Sequence, residues 1–368
     1  MIAVIADDFT GAAEMAGIAL RYGIHLPVVF LKEKVQLNDP GPATGCIICT
    51  DSRSLNEKDA ADITVRAVRI LMNFKPTLLF KKIDSVLRGH VLTELREQMR
   101  ITGAKRALIV PANPSLGRTI NSGNYLIAGT PIAETSFAHD PEFPVTSSSV
   151  NKILRDENII VQKADEPVTG IGIIVAETSS VEDVDDWARI ADPLWALAGA
   201  GDFFNALLAK QYSKSNTAAT EMLSPHLYIC GTAFPQRRNW VKKVEAEHGC
   251  VAWLPRELQQ EWKRHTLAVL EKQQRLILAI DEPTGTASET RNAMAAIAKQ
   301  LIEESGVKEI FIEGGATAAS LLSELVIGEL VPVNELQRGV VRMQSNEYFI
   351  TVKPGSYQLP PVIEEIYS

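Results

Sequence analysis

The sequence predicts an α/β protein of two domains, each a largely parallel β-sheet covered by helices, with the active site in the interdomain cleft. Three observations predict this class. Short apolar runs of strand length alternate with segments of helical apolar spacing, which is typical of parallel sheets. The 368 residues exceed what one ordinary hydrophobic core accommodates. Polar, glycine-containing segments follow several apolar runs, where open α/β sheets bind ligands.

The segment 211–220 is polar and rich in serine and asparagine, so it predicts a linker between domains at residues 1–212 and 221–368. In the first domain the apolar runs predict strands at 2–6, 26–31, 46–49, 78–80, 107–110 and 171–175. Helical spacing there predicts helices at 12–21, 57–72 and 91–100. In the second domain we predict strands at 227–230, 251–254, 276–280 and 310–312, helices at 287–305 and 318–325, and a closing antiparallel pair at 340–343 and 348–352.

Two stretches of the first domain do not fit the alternation. Residues 137–166 contain proline, serine and aspartate, which predicts an excursion or lid outside the core. Residues 187–210 predict a helix, a glycine turn at 198–202 (AGAGD) and a second helix. We interpret that turn as part of the domain junction.

Composition excludes several classes of protein. Net charge is -8, from 37 basic and 45 acidic residues, which argues against a nucleic-acid binder. No run approaches the roughly 18 apolar residues of a membrane span. The opening apolar run at residues 2–6 is too short for a signal peptide. We therefore expect a cytoplasmic protein without a membrane or nucleic-acid partner, and a homodimer as one assembly to test.

The chain has four cysteines: Cys46, Cys49, Cys230 and Cys250. Cys46 and Cys49 form a C-x-x-C, which occurs in redox and zinc sites. Neither a second pair nor a neighbouring histidine completes a zinc set, and the run C-I-I-C reads as a buried strand. We interpret these cysteines as buried thiols in a reducing compartment.

Charged residues concentrate where the early strands should end. Asp7 and Asp8 follow the first predicted strand, and a carboxylate there could accept from substrate hydroxyls, hold magnesium, act as a base or simply cap a helix. Residues 81–89 (KKIDSVLRG) supply further charged groups, of which Arg88 has a fork suited to carboxylate or phosphate. The candidates for substrate binding are Asp8, Arg53, Lys82, Asp84, Arg88 and Arg118. Convergent cations with a few carboxylates predict a small anionic, hydroxylated substrate.

In the second domain, the segments that follow the predicted strands contain glycine where those of the first domain contain charged residues. Residues 313–318 (EGGATA) follow an apolar run and open a helix, whose free N–H groups favour phosphate. Gly231 and Thr232 follow another run, and Gly355 with Ser356 follows the last one. The candidates for cofactor binding are Thr232, Gly314, Gly315, Ala316, Thr317 and Gly355. A Walker A stretch and a G-x-G-x-x-G after the first strand are both missing from the sequence.

Five segments together resemble the four-carbon acid sugar kinase family: residues 7–11 (DDFTG), 82–89 (KIDSVLRG), 111–118 (PANPSLGR), 314–318 (GGATA) and 355–356 (GS). Their order and spacing match over nearly the whole chain. The resemblance implies an ATP-dependent kinase acting with Mg²⁺ on the terminal hydroxyl of threonate, erythronate or 3-oxo-tetronate. It implies an amino-terminal substrate domain, with Asp8 or Asp84 as catalytic carboxylate, and a carboxy-terminal nucleotide domain. The metal ligands are left open.

Three other interpretations remain at this point. Residues 198–202 resemble the G-A-G-D anion hole of ribokinase-type sugar kinases, in which Asp202 would be the base. In that family the motif lies near the end of the chain, whereas here it lies in the middle. An aldolase or sugar-acid dehydratase could instead use Asp8 and Asp84 on a metal, without nucleotide. A non-catalytic sensor could bind a sugar acid, with the glycine turns serving structure alone.

Overall fold

The protein is represented by a computed structural model that describes residues 1–31, 45–140, 143–168, 170–215, 221–232, 234–281, 285–355 and 357–368. The chain divides into two compact units, Met1–Asn216 and Thr217–Ser368. Each unit contains parallel β-strands and has a hydrophobic core of its own.

Unit 1 contains the strands β1 (Ile2–Ala6), β2 (Val28–Phe30), β3 (Gly45–Cys49), β4 (Leu78–Lys82), β5 (Arg106–Val110), β6 (Arg118–Asn121), β7 (Asn124–Ile127), β8 (Thr130–Pro131), β9 (Ile160–Gln162), β10 (Gly172–Ala176) and β11 (Ala196–Gly199). Its helices are α1 (Phe9–Leu20), α2 (Glu57–Met72), α3 (Val91–Thr102), α4 (Val150–Leu154), α5 (Val181–Ile190) and α6 (Gly201–Ala209). Short 3-10 turns cover Pro114–Leu116, Ile132–Glu134 and Ser136–His139.

The main sheet of unit 1 has the order β2-β3-β1-β4-β11-β5-β10-β9, with every pair parallel. The fully apolar β1 is buried along its whole length, as expected for a strand covered on both faces. Helix α1 begins after Asp8, whose side chain accepts a hydrogen bond from the Gly11 N–H and so caps the helix. β6, β7 and β8 form a small separate antiparallel sheet.

The glycine turn predicted at residues 198–202 is wrong. Residues 196–199 form β11, which lies between β4 and β5 in the middle of the sheet, well before the unit ends. Its small side chains lack the β-branched signal of a strand, yet they suit a tightly covered position. A Cβ on Gly199 would lie 2.6 Å from the Val110 carbonyl oxygen, so the close approach requires glycine.

The excursion predicted at residues 137–166 is wrong in part. β9 pairs with β10, and this stretch also contains α4. Four of its apolar side chains, Val145, Val150, Leu154 and Ile159, are buried in a core with Leu95 and Tyr125 from outside it. These side chains are too widely spaced to show a periodic pattern, which explains why the sequence concealed them. Residues 141 and 142 lie outside the described residues.

Unit 2 contains β12 (His226–Cys230), β13 (Val251–Trp253), β14 (Arg275–Ala279), β15 (Glu309–Glu313), β16 (Glu329–Gln337), β17 (Val340–Gln344) and β18 (Phe349–Lys353). Its helices are α7 (Pro235–His248), α8 (Gln260–Gln273), α9 (Ala287–Ser305), α10 (Gly315–Glu324) and α11 (Pro361–Tyr367). Strands β13-β14-β12-β15-β18 are parallel neighbours in this order, and β17 and β16 continue antiparallel.

The core of unit 2 is aromatic at its centre. Tyr228 on β12 packs edge-on against Phe311 on β15, with ring centroids 4.9 Å apart, and also contacts Tyr367 on α11. The predicted strands and the closing antiparallel pair are confirmed, whereas β16, α7, α8 and α11 were not predicted. The predicted α/β class with largely parallel sheets is confirmed.

Across the described ranges, no helix combines the length and the apolar character that crossing a bilayer requires.

Candidate functional site

Unit 1 gathers its predicted site residues at one edge of the sheet. β1, β3 and β4 are parallel neighbours, with Ala6 paired to Cys49 on one side and to Lys82 on the other. The carboxyl ends of these strands therefore meet, and the residues that follow each strand converge. The charged side chains of this region, here called the charged cluster, are Asp7, Asp8, Glu14, Arg53, Lys82, Asp84, Arg88, Arg118 and Asp140.

Arg53 is the centre of the charged cluster. Its Nε lies 2.8 Å from Asp7 Oδ2, and its Nη1 lies 3.0 Å from Asp8 Oδ2 and 3.8 Å from Asp84 Oδ1. One guanidinium thus joins three carboxylates that follow two different strands. This arrangement uses the planar fork of arginine, which lysine does not have.

Arg88 forms the second junction. Its Nε and Nη2 donate to the two oxygens of Asp84 at 2.8 and 2.9 Å, and its Nη1 donates to Asp140 Oδ2 at 2.8 Å. Bidentate pairing of this kind fixes the orientation of both groups. Sequence reasoning missed Asp140, because it lies in the stretch that was interpreted as an excursion.

The charged cluster shifts the pKa values of its members. Burial alone would raise the pKa of Asp84, but Arg88 and Arg53 outweigh it and hold that pKa well below its usual range. Burial likewise opposes the ionisation of Asp8, yet Arg53 and Lys82 lower its pKa. The arginines shift in the opposite sense, because burial is outweighed by Asp7 and Asp8 at Arg53 and by Asp84 at Arg88. All four groups are ionised at neutral pH.

Lys82 lies at the carboxyl end of β4. Its Nζ is 3.4 Å from Glu14 Oε2 and donates to the Ile83 carbonyl at 2.9 Å. Glu14 was not predicted as a site residue. The available signal was a single acidic residue within the otherwise apolar α1, which is almost wholly buried.

Arg118 reaches the charged cluster from the start of β6. Its Nη1 donates to Ser85 Oγ, and its guanidinium lies 5.8 Å from the centre of the Phe137 ring. The Arg88 guanidinium lies 5.6 Å from the same ring centre. Phe137 therefore contacts both cations within cation–π distance, a role that the sequence did not reveal.

A second network is buried beside the charged cluster. Lys81, which is fully buried, lies 2.6 Å from Glu94 Oε2 on α3. Glu94 also accepts from Ser52, which hydrogen-bonds Thr50. Since Lys81 precedes Lys82 and Ser52 precedes Arg53, this network fixes the backbone from which two site cations project.

Unit 2 brings its predicted site residues together through glycine turns. A Cβ on Gly231 would lie 2.1 Å from Thr317 Oγ1, so any larger residue would collide with α10. Gly314 has φ +109, a conformation that L side chains rarely adopt. A Cβ on Gly355 would lie 3.6 Å from Thr232 Oγ1. The turns after β12, β15 and β18 are thus adjacent, and we call them the glycine cradle.

Helix α10 begins directly at the glycine cradle. Gly314 caps it without a side-chain hydrogen bond, and Gly315, Ala316 and Thr317 form its first turn. The early N–H groups of a helix lack intrahelical partners and attract anions. Ser356 and Ala233, which belong to neighbouring motif positions, lie outside the described residues.

Asp202 of the ribokinase-type alternative has a different role. It is the second residue of α6, and its carboxylate accepts from Ser115 N–H at 3.0 Å and from Ser115 Oγ at 2.6 Å. The Asp202 N–H donates to Asn113 Oδ1 at 2.9 Å. These bonds hold the loop before β6 against α6, so Asp202 has a structural role.

Within the described residues, no group of three or more His, Cys, Asp or Glu side chains has an arrangement that could hold a metal ion. Cys46 and Cys49 are buried in β3, and in the part of the chain that the structure describes neither forms a disulfide bond.

Comparison with known proteins identifies relatives. A family model described as a sugar-binding N-terminal domain matches residues 2–201. A D-threonate kinase of Salmonella typhimurium is 34% identical over 152 residues, 41% of this chain and 35% of that protein. A D-threonate kinase of Bordetella bronchiseptica is 26% identical over 367 residues, 92% of this chain and 88% of that protein. A D-erythronate kinase of Heliobacterium modesticaldum is 30% identical over 154 residues, 42% of this chain and 35% of that protein. The chain thus spans about a third of the length of the Salmonella and Heliobacterium relatives.

Solved structures share the fold. A crystal structure of a Haemophilus influenzae protein matches with a TM-score of 0.76 at 17% identity, covering 99% of both chains. A domain of unknown function from Bordetella bronchiseptica, solved with bound citrate as a domain-swapped dimer, matches with a TM-score of 0.50 at 22% identity, covering 100% of this chain and 97% of that one.

Proposed function

Because the chain belongs to the four-carbon acid sugar kinase family, we propose that it transfers the γ-phosphoryl group of ATP to the terminal hydroxyl of a four-carbon sugar acid. Relatives named D-threonate, D-erythronate and 3-oxo-tetronate kinases mark the acids to test first. The observation that carries the proposal is the charged cluster, which lies in the unit that the sugar-binding model matches.

The cations of the charged cluster account for recognition of an acid. Arg53, Lys82 and Arg88 already contact carboxylates of the protein, so a substrate carboxylate must compete for a cation. We propose that it competes with Asp140 for Arg88, since Asp140 contacts the guanidinium at Nη1, whereas Asp84 holds it through Nε and Nη2. Arg118 would then contact the hydroxyls or the carboxylate from the side of Phe137.

The two candidate catalytic carboxylates differ in accessibility. The Asp8 side chain is 19% exposed and that of Asp84 is 8% exposed. Both oxygens of Asp84 are held by Arg88. We therefore propose that Asp8 orients the attacking hydroxyl and accepts its proton, and that Asp84 positions Arg88 and Arg53. A lowered pKa suits this division, because phosphoryl transfer depends more on positioning and charge than on a strong base.

The glycine cradle fits the phosphates of a nucleotide. A Cβ at Gly231 would fill it, and α10 begins at the same turns without a side-chain cap, as suits a helix amino end that binds an anion. We propose that Thr232, Gly314, Gly315, Ala316, Thr317 and Gly355 hold ATP. Magnesium bound with ATP would supply neutralisation of the phosphate charge. The new bond joins the substrate oxygen to the γ-phosphorus as the bond to ADP breaks. The interdomain location of the active site remains a prediction.

The test is an ADP-release assay with D-threonate, D-erythronate and 3-oxo-tetronate, alongside five- and six-carbon acids as size controls. We expect turnover with at least one four-carbon acid, and only with ATP and magnesium. Turnover of longer acids alone would refute the substrate class. Thermal stabilisation by the acid but not by ATP would refute the kinase, because only a bound ligand raises the melting temperature. Light scattering of the same sample tests the predicted homodimer.

A further inference from the structure

Beneath the glycine cradle lies a buried ionic network that the sequence did not reveal. Glu313, at the end of β15, is 2.9 Å from Lys353 Nζ and 3.0 Å from Arg237 Nε, and it accepts from the Tyr228 hydroxyl. Glu313 and Lys353 are almost completely buried, and the Arg237 side chain is 14% exposed. Four elements of unit 2, β12, β15, β18 and α7, therefore meet at one carboxylate.

The charges of this network do not balance. Lys353 and Arg237 carry two positive charges, whereas Glu313 is the acidic partner that the described residues provide for both. An uncompensated charge in a buried position is costly, and proteins pair such charges with a counter-ion or ligand. Burial and the nearby Arg237 accordingly lower the pKa of Lys353, although Glu313 opposes the shift.

The excess positive charge lies directly next to the proposed phosphate site. Glu313 precedes Gly314, and the paired residues Cys230, Glu313 and Lys353 form one row across the sheet before the three glycine turns. The Lys353 ammonium group is already held by two contacts of the network, since its Nζ pairs with Glu313 and also donates to the Pro354 carbonyl at 2.8 Å. Arg237 differs from Lys353, because its contact with Glu313 is made through Nε. Its guanidinium carbon lies 5.1 Å from the centre of the Trp240 ring.

We propose that Arg237 is a phosphate-binding residue of the glycine cradle, held in position by Glu313. A guanidinium has five N–H donors, and the contact through Nε leaves its terminal amino groups to bind oxygen atoms of a phosphate chain. The proposal rests on the proposed nucleotide site and adds a side chain to a cradle otherwise made of backbone. Glu313 is then a positioning residue that holds the guanidinium without neutralising both cations.

The experiment compares Arg237→Gln with Arg238→Gln, its neighbour on α7, whose Nε pairs with Asp281. Dissociation constants are measured by calorimetry for MgATP, tripolyphosphate and adenosine. We expect Arg237→Gln to weaken MgATP and tripolyphosphate about 10- to 100-fold, as for loss of a hydrogen bond to a charged group, with adenosine unchanged. Arg238→Gln should bind all three within about twofold of the wild type.

Two results would overturn the inference. Equal binding of tripolyphosphate by the wild type and Arg237→Gln would remove Arg237 from the site. Equal weakening of MgATP and adenosine would indicate a structural role only. If Arg237→Gln does not fold, Arg237→Lys is the test, and it should weaken MgATP while leaving adenosine unchanged, because lysine lacks the fork. Tight tripolyphosphate binding without kinase turnover would refute the proposed kinase function alone. A wild type that binds neither tripolyphosphate nor MgATP would refute both the kinase function and the role of Arg237.

Discussion

The two candidate sites of this protein differ in the groups that form them, which are charged side chains in one and backbone in the other. In unit 1 the charged cluster consists of side chains, with Arg53 and Arg88 linking four carboxylates. In unit 2 the glycine cradle consists of backbone, and an ionic network centred on Glu313 lies below it. We therefore propose that the first recognises its ligand through charge and hydrogen-bond geometry, and the second through shape and N–H groups.

This difference predicts opposite sensitivities to substitution. A change of charge at constant shape should damage the charged cluster, because each carboxylate there compensates a buried cation. A change of shape without charge should damage the glycine cradle, because one added carbon atom fills it. Each prediction below tests one side of this comparison.

The largest effect is expected from Asp8→Asn. Asparagine keeps the volume and can still cap α1 by accepting from Gly11, so the fold should persist. Loss of the charge should lower kcat about 10³-fold, within the usual range for a residue that orients or accepts a proton. The KM for ATP should change less than about twofold. Steady-state kinetics of both substrates measure this.

The matched control for that variant is Asp186→Asn, an exposed aspartate on α5 that pairs with Arg189. It should leave kcat unchanged, because exposed ion pairs contribute little. A kcat for Asp8→Asn close to that of the control would contradict the assignment of Asp8 and transfer the role to another carboxylate.

Much of the charged cluster could be predicted from sequence, because its main residues follow strands directly. Asp8, Lys82 and Asp84 stand at the ends of apolar runs, and parallel pairing brings such ends together without further information. Arg53 could be predicted for the same reason, because it comes shortly after β3. The glycine cradle was predictable only as separate turns, since two glycines at a strand end are common in any α/β fold.

What escaped prediction depends on long-range contacts or on weak local signals. β11 is a central strand of small residues, which has no β-branched pattern to reveal it. Asp140 reaches Arg88 across 52 positions of the chain. Arg237 reaches Glu313 from α7, a helix with few apolar residues in its sequence. Such pairs are decided by tertiary packing, which periodicity does not encode.

A smaller effect is expected from Gly231→Ala in unit 2. The new Cβ would collide with Thr317 at the start of α10, so the turn or the helix must shift. We expect nucleotide affinity to fall about 30-fold, or roughly 2 kcal/mol, within the usual cost of an overpacked site. Affinity for the acid should not change. Calorimetric titration with MgADP and with the acid measures both.

Gly328→Ala is the control for this substitution, because a Cβ there would meet no atom within 4 Å. It should bind MgADP as the wild type does. Equal nucleotide affinity for Gly231→Ala and Gly328→Ala would show that the glycine cradle accommodates an added methyl group. The expected sensitivity of unit 2 to changes of shape would then be wrong.

The smallest effect concerns pH. The folded-state pKa values of Asp8 and Asp84 lie below their ordinary value, so the unfolded chain binds more protons as pH falls. The stability that these carboxylates contribute is therefore complete above about pH 5 and is lost progressively below about pH 4, by at most about 1.4 kcal/mol per pH unit for each group. Lys353 acts in the same sense in the alkaline range: because its pKa is lowered in the folded state, unit 2 should gain stability as pH rises towards the ordinary lysine value.

Urea unfolding of the wild type and Asp84→Asn between pH 7 and pH 3 tests the acid limb. The two chains share unit 2, so its contribution cancels in the difference between their free energies of unfolding. That difference should be constant from pH 7 to about pH 5 and should narrow below pH 4, because the wild type then gains the proton that asparagine never needed. A difference that stays constant to pH 3 would mean that Asp84 is not stabilised as a carboxylate by Arg88 and Arg53. The charge compensation that distinguishes unit 1 from unit 2 would then lie elsewhere in the charged cluster.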